Sequence, residues 1–238
     1  MLFYFCRIFQ GCYLASSDLK AMYLHVKIKE EFQTDFGFSI EIEGKTIFFK
    51  FCSVPFGLNE AGKVMDDLTK PLKFYAHSHS LDMSGYVDDF VEVYFNSLQC
   101  EYAHKFIMRL WAYAGWETNK LKSTTIPTQK LLYLGFNVDS AKMLISAPQS
   151  KIERLIDIID ELLRCEKDKI VIKCKFLAKI LGCLAHLLTS HGNLMRIVSR
   201  CSQNELGVQV CRGGWDSSLF VSEDMAREMR LTITYLSR

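Results

Sequence analysis

Long apolar runs are missing from this sequence: no stretch of eighteen or more apolar residues occurs, so no transmembrane helix and no membrane partner are predicted. Proline is scarce as well, and 4 prolines with only 13 glycines argue against long disordered stretches. The 9 cysteines are scattered and no two have CxxC spacing, so neither a disulfide framework nor a zinc site is expected. Buried free thiols in a reducing, intracellular compartment are the simpler reading. No charge of one sign dominates either, since the formal net charge is only +2, and a case for nucleic-acid binding must rest on local charge and on motifs. The apolar opening, Met1 to Phe9, has no basic region ahead of it and is interrupted by Arg7, which argues against a secretory leader.

What is present reads as two differently built regions, with no internal repeat. In the first, Tyr13-Leu14-Ala15 leads as a strand into Ser17-Asp18, and Ile40 to Phe51 alternates around Glu43-Gly44-Lys45 as a hairpin. A helix is predicted from about Glu60 to Tyr75 with Asn59 as N-cap, and another from about Leu98 to Ala114. The second carries an apolar stripe through Ala103, Phe106, Ile107, Leu110, Trp111 and Ala114, and Gly115 stops it. His77-Ser78-His79 reads as a surface loop, and Leu131 to Asp139 as a strand. After Pro148 the pattern turns helical. Ser150 and Glu153 form a capping-box signature, ahead of an inward face of Ile152, Leu155, Ile156, Ile159, Leu162 and Leu163. Further helices are predicted near Val171 to Thr189, Leu194 to Cys201 and Ser222 to Leu236. The expected class is α+β, with a mixed unit over residues 1–145 and a helical unit over 146–238.

Three stretches carry chemistry. Ser17-Asp18-Leu19-Lys20-Ala21-Met22-Tyr23 places an acid at a strand end, with an aromatic ring five residues on. Val54-Pro55-Phe56-Gly57-Leu58-Asn59 is a Pro/Gly turn opening a helix. Gly85-Tyr86-Val87-Asp88-Asp89-Phe90 sets two adjacent acids between apolar residues. An isolated acid pair usually faces water. Here the apolar flanks would partly desolvate the carboxylates, which repel one another unless a cation neutralises them. With Asp18 alongside, the three would make an oxygen-rich pocket suited to Mg²⁺, and two such ions about 3.5–4 Å apart can clamp the oxygens of a phosphoryl transfer.

In order and spacing these blocks resemble those of retroelement reverse transcriptases. Asn119-Lys120-Leu121-Lys122-Ser123 resembles the lysine-bearing loop of that family, and Tyr133-Leu134-Gly135-Phe136 its primer-gripping hairpin. The helical tail through Gly214-Trp215-Asp216 looks most like LTR-type elements of the DIRS or gypsy kind, or like pararetroviruses. The resemblance implies a polymerase palm, an antiparallel sheet with packed helices, followed by a helical thumb. It further implies RNA-directed DNA synthesis, with an RNA or DNA template, a primer and deoxynucleoside triphosphates as partners and two Mg²⁺ (or Mn²⁺) ions as cofactors.

Carried onto this sequence, the resemblance makes Asp18, Asp88 and Asp89 the metal ligands and Lys122 a proton donor to pyrophosphate. Tyr23 becomes the gate against a 2′-hydroxyl. Leu19, Lys20, Ala21 and Met22 offer backbone to the triphosphate, Phe56 and Gly57 line the nucleotide pocket, and Tyr86 touches the primer end. Leu134, Gly135 and Phe136 grip the primer. Seven basic residues against two acids between Cys165 and Cys201 suggest a face that tracks phosphates. Ala21 and Met22 depart from the family pattern, Met22 as a bulky residue expected to tighten the pocket. Glu60 adds an acid near the nucleotide site. Only 17 residues precede Asp18, too few for the fingers of the family, and the sequence stops where an RNase H domain usually begins. The expectation is therefore a piece of a larger polyprotein, with a catalytically silent nucleic-acid-binding relic as the alternative.

Overall fold

A computed structural model describes residues 5–237, so the first four residues of the apolar opening lie outside the described residues. The described residues divide into two units, one of residues 5–134 with Val138–Leu144 and one of Gly135–Asn137 with residues 145–237.

In chain order the first unit contains β1 (Tyr13–Asp18), β2 (Gly37–Ile42), β3 (Lys45–Lys50), α1 (Ala61–Ser78), β4 (Ser84–Tyr86), β5 (Asp89–Tyr94), α2 (Ser97–Tyr113), β6 (Thr124–Thr128) and β7 (Lys130–Tyr133). Four strands form an antiparallel sheet in the order β4-β5-β1-β6. Alternation along β1 and β5 gives the sheet two distinct faces. Ser17 receives the indole N–H of Trp111, and Glu92 meets His104, so residues 15, 17, 90 and 92 face α2. Asp18 and Asp89, directly opposite one another across β1 and β5, point from the other face. Leu19, Met22, Met65, Phe90, Ile107 and Trp111 fill the core beneath the helices.

The β2–β3 hairpin turns through Glu43 and Gly44, both at positive φ as a type I′ turn requires, and all twelve of its strand residues are exposed. α1 begins one residue later than expected. Glu60, not Asn59, holds its N-cap position, without a side-chain capping bond, and the helix runs through Pro71 to Ser78, so His77 and Ser78 are helical. α2 is capped by Asn96, whose side chain accepts from the Gln99 N–H, and Ala114 lies just past its end, exposed.

The predicted strand over Leu131 to Asp139 is a hairpin instead. β7 and β8 (Phe136–Asp139) flank a two-residue turn, Leu134-Gly135, with φ of 48° and 79°. With β9 (Leu144–Ser146) they are hydrogen-bonded in the order β7-β8-β9, and they carry the chain from one unit to the other.

The second unit contains α3 (Gln149–Lys167), β10 (Ile172–Lys173), α4 (Cys174–His191), α5 (Leu194–Ile197), α6 (Arg200–Gly213), β11 (Ser218–Leu219) and α7 (Glu223–Leu236). Its core gathers Leu155, Ile159, Leu162, Leu177, Ile180 and Met229. The capping box at Ser150 does not form: Pro148 occupies the N-cap position, and Ser150 falls inside the first turn. Ser222 does cap α7, its hydroxyl accepting from the Met225 N–H. The helix expected near Leu194 to Cys201 is broken into α5 and a longer α6, whose first amides, Cys201 and Ser202, donate to the Glu228 carboxylate of α7. Two of the seven counted basic residues turn to an acid outside the counted window, since Lys175 pairs with Asp216 at 2.6 Å and Lys173 reaches the Asp216 carbonyl.

Candidate active site

The acids sit where β1 ends against the β4–β5 hairpin. Cross-strand pairing sets Asp18 against Asp89, and Tyr86 against Asp89 closes the hairpin on Val87 and Asp88. Val87 stands at φ 56°, a conformation that costs a β-branched residue energy, so surrounding packing must hold the turn. Gly85 explains part of that hold: a Cβ there would fall 2.8 Å from Cγ of the buried Phe90 ring, and nearer still to Cδ1 and Cε1. Beyond the strand end, the Leu19 N–H donates to the Asp88 carbonyl at 3.0 Å, locking the hairpin to β1.

The Asn119–Ser123 loop is tied to the same strand end. The Asn119 N–H donates to the Asp18 carbonyl at 2.8 Å, and the Asp18 N–H donates to the Ser123 hydroxyl at 3.1 Å. This brings the Lys122 ammonium close enough to lower the pKa values of Asp18 and Asp89. Burial outweighs that help. Desolvation, then the neighbouring Asp88 and Asp18 charges, push the Asp89 carboxyl up to about 6. Asp18, 6% exposed, is also raised, first by burial, with the Asp88 charge adding to it against Lys122. Three carboxylates against one ammonium leave an uncompensated negative site.

The donors suit a hard divalent cation. Among the described residues no three carboxylate, imidazole or thiol groups group together as a ready-made ligand set. Asp18 and Asp89 share one sheet face, and Asp88 rides the adjoining turn.

The aromatic side of the site assembles as expected. The Tyr23 and Phe56 rings meet edge to face at 5.3 Å, Phe56 and Tyr86 are exposed, and Gly57 sits at φ 88°. The Tyr23 hydroxyl is raised in pKa by burial and then by the Asp88 and Tyr86 charges, which puts those groups within electrostatic reach of the ring.

One expectation is corrected, that Met22 would tighten the pocket, and the placement of its neighbours is as follows. The Leu19 and Met22 side chains are buried in the core at 1% and 2% exposure, so Met22 does not tighten the pocket. Ala21, in the left-handed conformation at φ 47°, ψ 40°, starts the short helical turn Met22–His25 that swings Met22 inward. Lys20 is held by Glu117 at 2.7 Å, an exposed pair. Gly135 and Phe136 belong to the second unit, while Leu134 ends a segment of the first.

Two features escaped the motif reading. Ser123 and Asn119 were seen only as neighbours of Lys122, although an Asn opening a loop is a known turn signal; here its side chain accepts from the Leu121 N–H. The other is the Glu92–His104 pair, 0% and 2% exposed and 3.1 Å apart beneath the four-stranded sheet; the second nitrogen of His104 and the second oxygen of Glu92 have no partner.

Comparison with known proteins defines the class and then the family. The fold is that of reverse transcriptases: 96% of the chain aligns with a foamy viral protease–reverse transcriptase solved with an RNA/DNA hybrid, at TM-score 0.63 and 15% identity. Two further foamy viral protease–reverse transcriptase structures, both solved with double-stranded DNA, align over 96% of the chain at TM-scores of 0.60 and 0.58 and identities of 15% and 14%. The chain spans 27%, 36% and 42% of those three chains. No curated protein matches its sequence. The profile of the reverse transcriptase (RNA-dependent DNA polymerase) family matches residues 5–138, and the chain belongs to that family.

Proposed function

We propose that the first unit is the palm of a retrotransposon-type reverse transcriptase, of LTR/DIRS- or pararetrovirus-like kind, and that residues 146–238 are its thumb, within a longer polyprotein that supplies fingers and RNase H. The observation that carries the reading is the opposition of Asp18 and Asp89 across β1 and β5, with Asp88 on the adjoining turn and Lys122 alongside.

Asp18 and Asp88 would hold two Mg²⁺ ions, with Asp89 the more peripheral acid; the chemistry such ions would supply is activation of the primer 3′-hydroxyl and offset of charge on the transferring phosphate. The Tyr23 ring, braced edge-on by Phe56, stands under the sugar C2′ of a deoxynucleoside triphosphate and leaves no room for a 2′-hydroxyl. Backbone amides from Leu19 to Met22 and the open Gly57 turn approach the phosphates and base. The Lys122 Nζ gives its proton to the leaving pyrophosphate oxygen. Tyr86, exposed on the hairpin, meets the primer-terminal nucleotide, while Leu134, Gly135 and Phe136 steady the primer. The remaining basic residues of the second unit contact template–primer phosphates without regard to sequence.

An RNA-templated primer-extension assay on this chain, and on one extended upstream, tests this. Extension with Mg²⁺ by at least the extended chain, abolished by Asp88→Asn while duplex binding persists, is the expected result. Extension undiminished in that variant, or none by either unaltered chain, contradicts it.

A further inference from the structure

Two nitrogens from different helices of the second unit converge on one glycine. The Lys151 Nζ of α3 donates to the Gly135 carbonyl at 3.1 Å. A Cβ placed on Gly135 would fall inside van der Waals contact with that Nζ and 3.6 Å from Nε2 of His186 on α4. The His186 ring is itself fixed, stacked on Phe136 with centroids 4.5 Å apart and planes 20° from parallel. Its Nε2 is buried and has no hydrogen-bond partner. Gly135, at φ 79°, therefore serves two ends: it permits the turn and it leaves room for the Lys151 ammonium.

We propose that Lys151 and His186 are positioning residues for the Gly135 turn, a clamp that holds while the imidazole is neutral and opens when His186 takes a proton. An ammonium tolerates the lone pair of an unprotonated Nε2 beside it. It does not tolerate a second cation beside the same glycine, so a proton on His186 drives Lys151 from the Gly135 carbonyl. The ionisable groups facing His186 across the groove of about 450 Å³ between α3 and α4 are Lys151 and Arg154 from α3 and Lys179 and the Cys183 thiol from α4 itself. No carboxylate is among these, so no anion in the groove stabilises the imidazolium. Burial and then the Lys151 charge hold His186 below the usual imidazole range. With the folded-state value depressed, the clamp is intact above the ordinary titration range of histidine and is lost as pH falls through the lowered one. That the clamp steadies a primer end rests on the function proposed above; the clamp itself does not.

The test is an NMR titration of the isotopically labelled full chain, following the His186 ring and the Gly135 amide. The Gly135 amide is expected to move with the His186 midpoint. Lys151→Met should shift that midpoint upward, and Lys151→Arg, which restores a cation and a donor, should return it toward the original. A Gly135 amide indifferent to the His186 titration, which needs no variant to observe, overturns the proposal, as does an unmoved midpoint in Lys151→Met. Neither readout needs polymerase activity. Coupled titration together with no extension by this chain or by one extended upstream would sink the polymerase reading and leave the clamp standing, while an active chain with uncoupled titration would do the reverse.

Discussion

Replacing Gly85 with alanine should unfold the acid hairpin's support without touching any acid. The added Cβ would lie 2.5 Å from Cε1 and 2.8 Å from Cγ of Phe90, against an ordinary contact of 3.4 Å or more. The ring cannot swing aside freely, for it is fully buried and packs on Trp111 with centroids 4.6 Å apart. Overpacking of this kind costs about 1–3 kcal/mol. At about 2 kcal/mol the unfolding equilibrium shifts roughly thirty-fold. Equilibrium denaturation of Gly85→Ala should show a lower midpoint at unchanged slope. A second change, Phe90→Leu, shrinks the obstructing group, so the double variant should be less destabilised than the two single losses combined. Gly85→Ala within about 0.5 kcal/mol of the unaltered chain would refute the reasoning, because a change that small is typical of sites with no packing constraint.

Two further perturbations probe charge beneath and within the site. Asp89, raised to about 6 in the fold, should stabilise the protein most when protonated, so stability attributable to it is full below its ordinary range near 3.8 and is lost as pH rises toward 6. Asp89→Asn should therefore be more stable than the unaltered chain above pH 6, by on the order of 1 kcal/mol once solvent screening is allowed for, and equal to it in strong acid; thermal melts across pH read this out, and an equal difference at all pH values contradicts it. His104→Ala leaves the Glu92 carboxyl, already raised in pKa by burial, without its partner and should cost about 1–3 kcal/mol. Loss of less than about 1 kcal/mol in denaturant unfolding would show that water reaches Glu92.

Much of this was legible in the sequence because the information is local. The β1 acid, the Pro-Phe-Gly turn, the Asp-Asp hairpin and the Glu43-Gly44 turn each follow from residues a few positions apart. The parts that were not legible depend on distant partners. Met22 was expected at the pocket, yet the left-handed Ala21 turns it into the core. Ser150 and Pro148 both favour a helix start, and fixed φ at Pro148 wins the N-cap position from the hydroxyl. Glu228 caps α6 from 26 residues downstream of Ser202, and Asp216 reaches back to Lys175 across 41 positions, pairings that no window of local charge reveals. Glu92 and His104 read as a strand acid and a helix histidine until β5 packs on α2.

The central claim is that Asp18, Asp88 and Asp89 act together as one site for divalent cations. Mn²⁺ titrated into the ¹⁵N-labelled chain tests it most directly, since a paramagnetic ion broadens the amides around it. Broadening centred on residues 18, 88, 89 and 122, lost in Asp88→Asn, is the predicted result. Broadening that survives that substitution, or that centres elsewhere, would contradict the account.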